Sequence, residues 1–219
     1  MTDNALPWTV ALDTPLQAVL DEPSPHPLLV RALTGVLAWQ TRCETTVRRA
    51  LLATRTAPQF VAALLALGAT ATIRGEDGAG EVSLEALLQD GRVRQADHVR
   101  VHTLRGKRWG EARVARTPTD EPIVAAFALV ELADGTVRQA RVALTGAWRE
   151  PARLAKAPGR MVGGPCDHAH IAQVGIAVCD EVAPAGDFRG SEAYRRAMAG
   201  VVTRRALSAC LRRDGGADE

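Results

Sequence analysis

The stretch that decides the fold is residues 187–196, which read Asp-Phe-Arg-Gly-Ser-Glu-Ala-Tyr-Arg-Arg. It predicts a loop that enters a capped helix, because Gly190 permits a turn and Ser191 is a favoured N-cap. Glu192 adds negative charge at the helix end that attracts it. Apolar residues then recur at helical spacing over residues 198–207. Taken alone, the pattern predicts a C-terminal amphipathic helix.

The composition excludes several classes of protein. The 219 residues are 47% hydrophobic, which is enough for one good core or two small ones. Lys+Arg 27 nearly balances Asp+Glu 25 and aromatic residues make up only 4%, so we expect no nucleic-acid partner. No apolar run approaches the roughly 18–20 residues that span a bilayer, and the start lacks the pattern of a signal peptide. We therefore expect a cytoplasmic protein without a membrane partner, whose four scattered cysteines are reduced, and homo-oligomers remain possible.

Hydrophobic periodicity and turn residues divide the chain into a mixed first half and a strand-rich second half. In the first half we predict helices over 16–20, 26–40, 58–68 and 84–88, a hairpin of 70–74 and 81–84 around a turn at 75–78, and a strand over 98–103. In the second half we predict strands over 109–116, 123–132 and 136–144, a crossover over 149–158, and helices over 167–180 and from Ser191 onward. Asp134-Gly135 is a strong hairpin signal between the last two strands.

Strands followed by helices are typical of the α+β class. The predicted organisation is a lead-in segment over 1–24, a first domain over 25–108, a second domain over 109–212 and a frayed tail over 213–219. The second domain is predicted to be three antiparallel strands packed on helices.

The motif Asp-x-Arg-Gly-Ser-x-x-Tyr-Arg at 187–195, followed by Arg-Arg-Ala-Leu at 204–207, resembles the end of a known family. This family is the flavin-binding medium subunits of the molybdenum hydroxylases, the carbon monoxide dehydrogenase and xanthine dehydrogenase group. Strand residues 113–126 and 137–146 are also similar to the C-terminal domain of these subunits, so the resemblance covers about residues 110–208. The motif residues Asp187, Arg189, Gly190, Ser191 and Tyr194 are interpreted as structural, with an Asp–Arg pair and a buried tyrosine that fix the loop.

The first half resembles the second FAD-binding subdomain of the same family, but with its flavin loops altered. Family members read approximately Val-Arg-Asn-x-Ala-Thr-Leu-Gly-Gly-Asn-Leu where this chain has residues 41–51. Thr46 matches, whereas Arg48 and Arg49 replace the paired glycines, and Gln59 replaces an acidic residue further on. Glycines in such a loop let the backbone approach a pyrophosphate that backbone N–H groups then hold. We therefore expect Thr46, Arg48, Arg49 and Gln59 to be degenerate cofactor-binding positions on the remnant of an FAD-binding subdomain, the other flavin subdomain having no counterpart in residues 1–40.

Other chemistry is weakly indicated. Cys166, His168 and His170 alternate along a predicted helix, where alternate residues do not face one another, so we expect no metal site. No catalytic residues are identified either, because cofactors carry out the chemistry in this family.

Three functions remain open. The resemblance implies a degenerate medium-subunit-like protein that lacks tightly bound FAD and acts as a structural, assembly or binding partner, with a molybdenum-cofactor large subunit and an iron–sulfur small subunit as possible partners. The alternative is a working FAD-binding electron-transfer subunit of a molybdenum-containing dehydrogenase, which would be the one enzymatic role. A stand-alone small-molecule binder is the third.

Overall fold

The computed structural model describes residues 7–23, 25–75, 78–102, 106–117 and 120–212, with backbone alone at Gly75, Gly78 and Ala79. The chain separates into two compact units, residues 1–105 and 106–219. The expected frayed tail over 213–219 lies outside the described residues, as does the centre of the turn predicted at 75–78. In the described part of the chain, no helix is both long and apolar enough to span a membrane.

The first unit contains a four-stranded antiparallel sheet in the order β1-β4-β2-β3 together with six short helices in the described residues. The strands are β1 (Trp8–Ala11), β2 (Thr70–Gly75), β3 (Gly78–Ser83) and β4 (Ala96–Val101). The helices are α1 (Leu16–Asp21), α2 (Pro27–Thr34), α3 (Trp39–Glu44), α4 (Val47–Leu52), α5 (Pro58–Ala66) and α6 (Leu84–Gln89).

Helix α5 is the centre of the first unit, since all nine of its residues are buried. The helix begins at Pro58, whose fixed φ suits a first turn, and is followed by Gly68 at φ 69°, a conformation that favours glycine. An apolar helix that is buried on every side stabilises the unit by removing its whole surface from water.

The second unit contains an antiparallel sheet in sequential order, β5-β6-β7-β8, with two long helices. The strands are β5 (Lys107–Val114), β6 (Val124–Ala133), β7 (Thr136–Thr145) and β8 (Ala152–Ala155), and the helices are α7 (His168–Glu181) and α8 (Glu192–Leu211). Asp134 and Gly135 both have positive φ, 53° and 74°, as the turn of the β6–β7 hairpin requires. The predicted hairpin is therefore confirmed.

One face of this sheet and the helix pair form a single apolar core. Val124, Ala126, Ala128 and Val130 of β6 share this cluster with Val202 and Leu207 of α8. Helix α8 crosses β5 very closely at Gly110, where an added Cβ would lie 2.1 Å from the Ala206 carbonyl oxygen. The α+β class with antiparallel strands packed on helices is thus confirmed.

Three details differ from the sequence-based predictions. The predicted three-stranded sheet has a fourth strand, β8, inside the stretch interpreted as a crossover, because four residues suffice to pair with the end of β7. The predicted helix over 26–40 is two helices, α2 and α3, separated at Gly35–Ala38. The lead-in segment contributes a strand, β1, which pairs with β4, a long-range pairing that local periodicity does not reveal.

Candidate functional site

The first sequence-predicted site lies at the start of α4 in the first unit. Thr46 is the N-cap of this six-residue helix, and its Oγ1 accepts a hydrogen bond of 3.2 Å from the Arg49 N–H. A threonine N-cap is the ordinary solution for a helix whose first N–H groups lack partners within the helix. The threonine that matches the family pattern is therefore used by the helix itself.

The remaining N–H groups of this turn are also satisfied from within the chain. The Val47 N–H donates to the Thr14 carbonyl at 2.9 Å, and the Arg48 N–H donates to the Leu12 carbonyl at 2.6 Å. The Ala50 N–H donates to the Thr46 carbonyl at 3.0 Å, as the first regular bond of the helix. A phosphate cradle needs backbone N–H groups that point at the ligand. The N–H groups of residues 47–50 are all occupied, so this turn does not fit a pyrophosphate.

The two arginines of this turn, Arg48 and Arg49, have different roles. Arg48 donates from Nε to Asp13 Oδ1 at 2.8 Å and from Nη1 to the Ala96 carbonyl at 3.0 Å, with a longer contact of 3.5 Å to the Val93 carbonyl. The Arg48 guanidinium holds the pKa of Asp13 below its ordinary value. Arg49 is exposed and has no side-chain partner among the described residues.

Gln59 lies elsewhere in the same unit, in the first turn of α5. Its side chain is only 3% exposed, and neither its Nε2 nor its Oε1 has a hydrogen-bond partner in the described structure. An unsatisfied buried amide is costly, by about 1–3 kcal/mol. Gln59 is therefore the one of the four predicted cofactor-binding positions that retains unmet hydrogen-bonding capacity in a buried place.

The second predicted site is the turn at Asp187–Gly190 in the second unit. The backbones of its two end residues bond each other, with Asp187 N–H to the Gly190 carbonyl at 3.0 Å and Gly190 N–H to the Asp187 carbonyl at 3.2 Å. The Asp187 carboxylate also accepts from the N–H groups of Arg189, at 2.9 Å, and Gly190, at 3.1 Å. An aspartate that bonds its own following backbone is the usual device for fixing a tight turn.

Two arginines hold the same carboxylate. Arg189 donates from Nε to Asp187 Oδ2 at 3.3 Å and from Nη1 to Glu121 Oε2 at 2.5 Å. Arg195, which is 5% exposed, places Nη2 2.7 Å from Asp187 Oδ1. The expected Asp–Arg pair is therefore present, with two arginines instead of one.

From the sequence, Arg195 is expected to lie with Arg196, Arg204 and Arg205 on a face that contacts solvent or another subunit. The structure shows that this expectation is wrong for Arg195, which is 5% exposed and makes the most buried contacts of the motif. Its Nη1 donates to the Ile123 carbonyl at 2.6 Å and lies 3.5 Å from the Gly146 carbonyl. Hydrogen bonding from Arg195 is the main reason that the pKa of Asp187 is far below its ordinary value. The available signal was its position four residues after the N-cap, which directs the side chain back toward the turn.

The remaining motif residues occupy the junction between the turn and α8. Ser191 is the N-cap, as predicted, and its Oγ accepts from the Tyr194 N–H at 3.2 Å. Gly190 leaves little room for a side chain, because an added Cβ would lie 3.1 Å from both Ile123 Cγ2 and Tyr194 Cδ1, and these side chains would have to shift to accept it. The prediction that Tyr194 is buried is wrong: it is 40% exposed, since Arg195, not Tyr194, points into the unit.

The turn borders a hollow of about 190 Å³ lined by Arg116, Asp120, Glu121, Ile123 and Arg189. Its charged groups are paired with one another: Arg189 binds Glu121, and Arg116 Nε lies 3.7 Å from Asp120 Oδ2. Arginines and carboxylates that are already paired leave little capacity for a charged ligand. The hollow is therefore lined mainly by charge-balanced ion pairs, with Ile123 as the apolar residue in its lining.

The stretch that contains Cys166, His168 and His170 lies at the start of α7. Asp167 is the N-cap of α7, and its Oδ1 lies 2.8 Å from both the His170 N–H nitrogen and His170 Nδ1. Hydrogen bonding from the His170 backbone lowers the pKa of Asp167, and burial raises the pKa of the Cys166 thiol. Among the described residues, no group of three histidine, cysteine, aspartate or glutamate side chains is placed to hold a metal ion.

Comparison with known proteins places this geometry in context. Residues 112–210 match the family model of the CO dehydrogenase flavoprotein C-terminal domain. Carbon monoxide dehydrogenase from Hydrogenophaga pseudoflava superposes with a TM-score of 0.77 at 22% identity, covering 94% of this chain and 75% of the other. Quinoline 2-oxidoreductase from Pseudomonas putida 86 superposes with a TM-score of 0.75 at 22% identity, covering 93% of this chain and 74% of the other. CO dehydrogenase from Oligotropha carboxidovorans superposes with a TM-score of 0.72 at 21% identity, covering 92% of this chain and 74% of the other.

The search of curated proteins by sequence gives no match. At 20–22% identity the structural similarity establishes the fold, and the matched segment includes the whole sheet core of the second unit apart from the start of β5. The resemblance predicted from the Asp187–Tyr194 motif is confirmed: residues 112–210 match the CO dehydrogenase flavoprotein C-terminal domain, and the chain has the fold of the flavin-binding medium subunits of molybdenum hydroxylases.

Proposed function

We propose that this chain is a medium-subunit-like protein that does not bind FAD tightly and that acts as a structural or assembly partner of molybdenum hydroxylase subunits. One observation carries the proposal: every backbone N–H of residues 47–50 is already bonded within the chain. Those residues occupy the place of the family's glycine pair. A ligand phosphate would have to displace the Leu12 and Thr14 carbonyls from this turn.

The energetic consequence is large for a charged ligand. A hydrogen bond to a charged group contributes about 1.5–3 kcal/mol, so losing two or three of them costs on the order of 5 kcal/mol. That corresponds to roughly a few thousand-fold in the dissociation constant. Arg48 cannot easily replace those bonds, because its guanidinium is held by Asp13 and by the Ala96 carbonyl.

Arg49 is the one residue of this turn that could still attract an anion. It is exposed and lacks a side-chain partner in the described structure, so its attraction would be an unaided surface charge. Such attraction is weak and is screened over about 8–10 Å at physiological salt. We therefore expect any residual flavin binding to be salt-sensitive and to depend on Arg49.

The test is a calorimetric titration of the full chain with FAD at physiological ionic strength, together with the visible spectrum of the protein purified from its native host. We expect no stoichiometric flavin and a dissociation constant weaker than about 1 µM. The variant R49A removes a side chain that has no polar partner in the described structure, and it should abolish residual binding at low salt. Stoichiometric flavin or sub-micromolar affinity at physiological salt would contradict the proposal.

Gln59 favours the second candidate, an FAD-binding electron-transfer subunit. Its buried amide has no partner, and a bound ligand could satisfy it. The variant Q59L separates the two functions. If no ligand is bound there, removing an unsatisfied amide should raise the free energy of unfolding by about 1 kcal/mol. If FAD binds there, Q59L should weaken flavin binding and leave the ligand-bound protein less stable than the parent.

The partner proposal needs its own experiment. A tagged full-length chain, isolated from the native host at low salt, should co-purify with a molybdenum-cofactor large subunit and an iron–sulfur small subunit in fixed ratio. Recovery of the intact, folded chain at low salt without either subunit would contradict an assembly role.

A further inference from the structure

Exposed cations follow one another along β8 and the loops on either side of it. Four exposed side chains form this basic edge of the second unit: Arg149, Arg153, Lys156 and Arg160. Successive members are three or four residues apart, so their Cα atoms lie within about 14 Å of one another. Four cations and one carboxylate, Glu150, give residues 149–160 a net charge of +3, whereas the whole chain carries only +2.

The charges of the basic edge are not paired within the described structure. Elsewhere in the unit exposed cations have carboxylate partners, as Lys107 has in Glu131 at 3.3 Å, but none of the four forms such a pair. Glu181 of α7 reaches the segment, where it accepts from the N–H groups of Lys156 and Ala157 at 2.7 and 2.9 Å. Even with Glu181 counted, the segment keeps a net charge of +2.

The same segment contains the last strand of its sheet. Residues 152–155 of β8 pair with residues 142–145 of β7 on one side. On the other side the backbone of β8 has no partner among the described residues. β8 contains no proline, and its pairing with β7 contains no bulge. An edge strand of this kind can accept one more strand from another chain.

Arg153 is held in place beside this free edge. Its guanidinium carbon lies 5.3 Å from the centre of the Trp148 ring, and its position in the register is opposite Leu144. The cation–π contact restricts a long side chain, so less conformational freedom is lost when a ligand binds. Because the ring occupies only one face of the guanidinium, the N–H groups at its rim remain able to bind a carboxylate with two hydrogen bonds.

We propose that the basic edge binds an extended acidic segment of another protein, which adds to the sheet beside β8. The backbone of β8 supplies the strand pairing, and the cations select a segment that carries carboxylates. A second copy of this chain is disfavoured, since pairing two β8 strands would bring two basic edges together. A nucleic acid is disfavoured as well, because its bases stack on exposed aromatic rings and Trp148 is 8% exposed beneath Arg153.

The proposal goes beyond the proposed function, because it depends neither on flavin nor on which protein carries the acidic segment. Its probe is a fluorescent peptide of about ten residues that alternates glutamate and valine, a length that covers β8 and its flanking loops. The peptide is titrated with the full chain, and binding is followed by fluorescence anisotropy. We expect a dissociation constant of about 10–100 µM at low salt. It should rise several-fold at about 0.3 M salt, because the charges are then screened.

Two further probes separate strand addition from charge alone. The first is an acidic peptide with proline in place of valine, which carries the same charge but cannot pair as a strand. The second is a single-stranded DNA of about ten nucleotides, which carries phosphates but no peptide backbone. Both should bind at least about 10-fold more weakly than the glutamate–valine peptide.

A pair of double variants tests the position of the charges. R153Q/K156Q removes two cations of the basic edge and should raise the dissociation constant of the glutamate–valine peptide about 10-fold, since two surface charge pairs are lost. R138Q/R205Q is the matched control, because both arginines are exposed in the same unit but lie outside the basic edge. It lowers the net charge equally and should change the dissociation constant less than about twofold.

Several outcomes would overturn the proposal. They are no binding of the glutamate–valine peptide up to about 1 mM, equal weakening by the two double variants, or equally tight binding of the proline peptide or of the DNA. Both double variants should retain the circular dichroism spectrum of the parent, since they change exposed side chains. Neither flavin nor the native host enters these measurements, so this proposal and the proposed function can fail independently.

Discussion

Each unit contains an arginine in the first turns of a helix that binds one aspartate and several backbone carbonyls. In the first unit Arg48 binds Asp13 and reaches the carbonyls of Val93 and Ala96. In the second unit Arg195 binds Asp187 and reaches the carbonyls of Gly190, Ile123 and Gly146. The Arg195 side chain is 6% exposed, whereas that of Arg48 is 26% exposed and its aspartate 78%. The two arginines thus make similar contacts in very different surroundings.

The two arginines also connect different parts of the chain. Arg195 belongs to a motif that matches the medium subunits, and it links the turn, the start of β6 and the end of β7. Arg48 links α4 to Asp13, to Val93 and to Ala96 at the start of β4. Arg195 therefore closes a buried core, whereas Arg48 joins a helix to a neighbouring loop in a more exposed place.

The largest expected effect is that of R195A. The substitution leaves the Asp187 carboxylate and the Ile123 carbonyl without their buried donor, and breaking a buried pair is strongly destabilising. The free energy of unfolding, measured by urea denaturation, should fall by about 3 kcal/mol. R195K, which keeps the charge but not the planar fork, should recover only part of this loss. A loss below about 1 kcal/mol for R195A would mean that burial does not distinguish the two arginines.

The second prediction concerns pH. The pKa of Asp187 is lowered in the folded protein, so the ionised carboxylate stabilises the fold. This stabilisation is fully present above the unfolded pKa of about 3.9 and is lost as the pH falls below that value toward the folded pKa. At neutral pH D187N should be less stable than the parent by about 2 kcal/mol. That gap should shrink as the pH falls below about 4 in denaturation experiments at each pH. D134N is the control, because asparagine is equally suited to the hairpin turn. A gap that does not change with pH would contradict the assignment to the Asp187 carboxylate.

R48A should have a smaller effect than R195A. The Arg48–Asp13 pair is largely exposed, and such pairs contribute about 0–1 kcal/mol, to which the bond to the Ala96 carbonyl adds a similar amount. We expect a loss of about 1 kcal/mol by urea denaturation. The adjacent R49A is the matched control and should change stability by less than about 0.5 kcal/mol. Equal effects of the two variants would show that the Arg48 contacts are unimportant.

Y194A is the smallest expected effect. The ring is 40% exposed, so its removal should lower the free energy of unfolding, measured by thermal denaturation, by about 1 kcal/mol or less. Y194F should be indistinguishable from the parent. A loss of several kcal/mol would restore the sequence-based interpretation in which Tyr194, not Arg195, fixes the loop.

Much of the fold followed from local sequence. The Asp134-Gly135 turn, the Ser191 cap and the helix predicted over 58–68, which spans Pro58–Ala66 in the structure, were each indicated within a few residues. The reason is that capping and turn conformations depend on immediate neighbours. Strands β1 and β8 were not predicted. They have four residues each, and their strand character depends on partners about 90 and 10 residues away in the chain.

The sequence by itself determined the resemblance of the second unit to the CO dehydrogenase flavoprotein C-terminal domain, since that resemblance depends on residue identity. It could not determine what Arg48 and Arg195 contact. Only the tertiary structure placed Asp13 beside Arg48, the Leu12 and Thr14 carbonyls against the first turn of α4, and Asp187 against Arg195. The physical reason is that hydrogen bonds and burial join residues far apart in the chain, so a side chain's role depends on groups that local sequence does not contain.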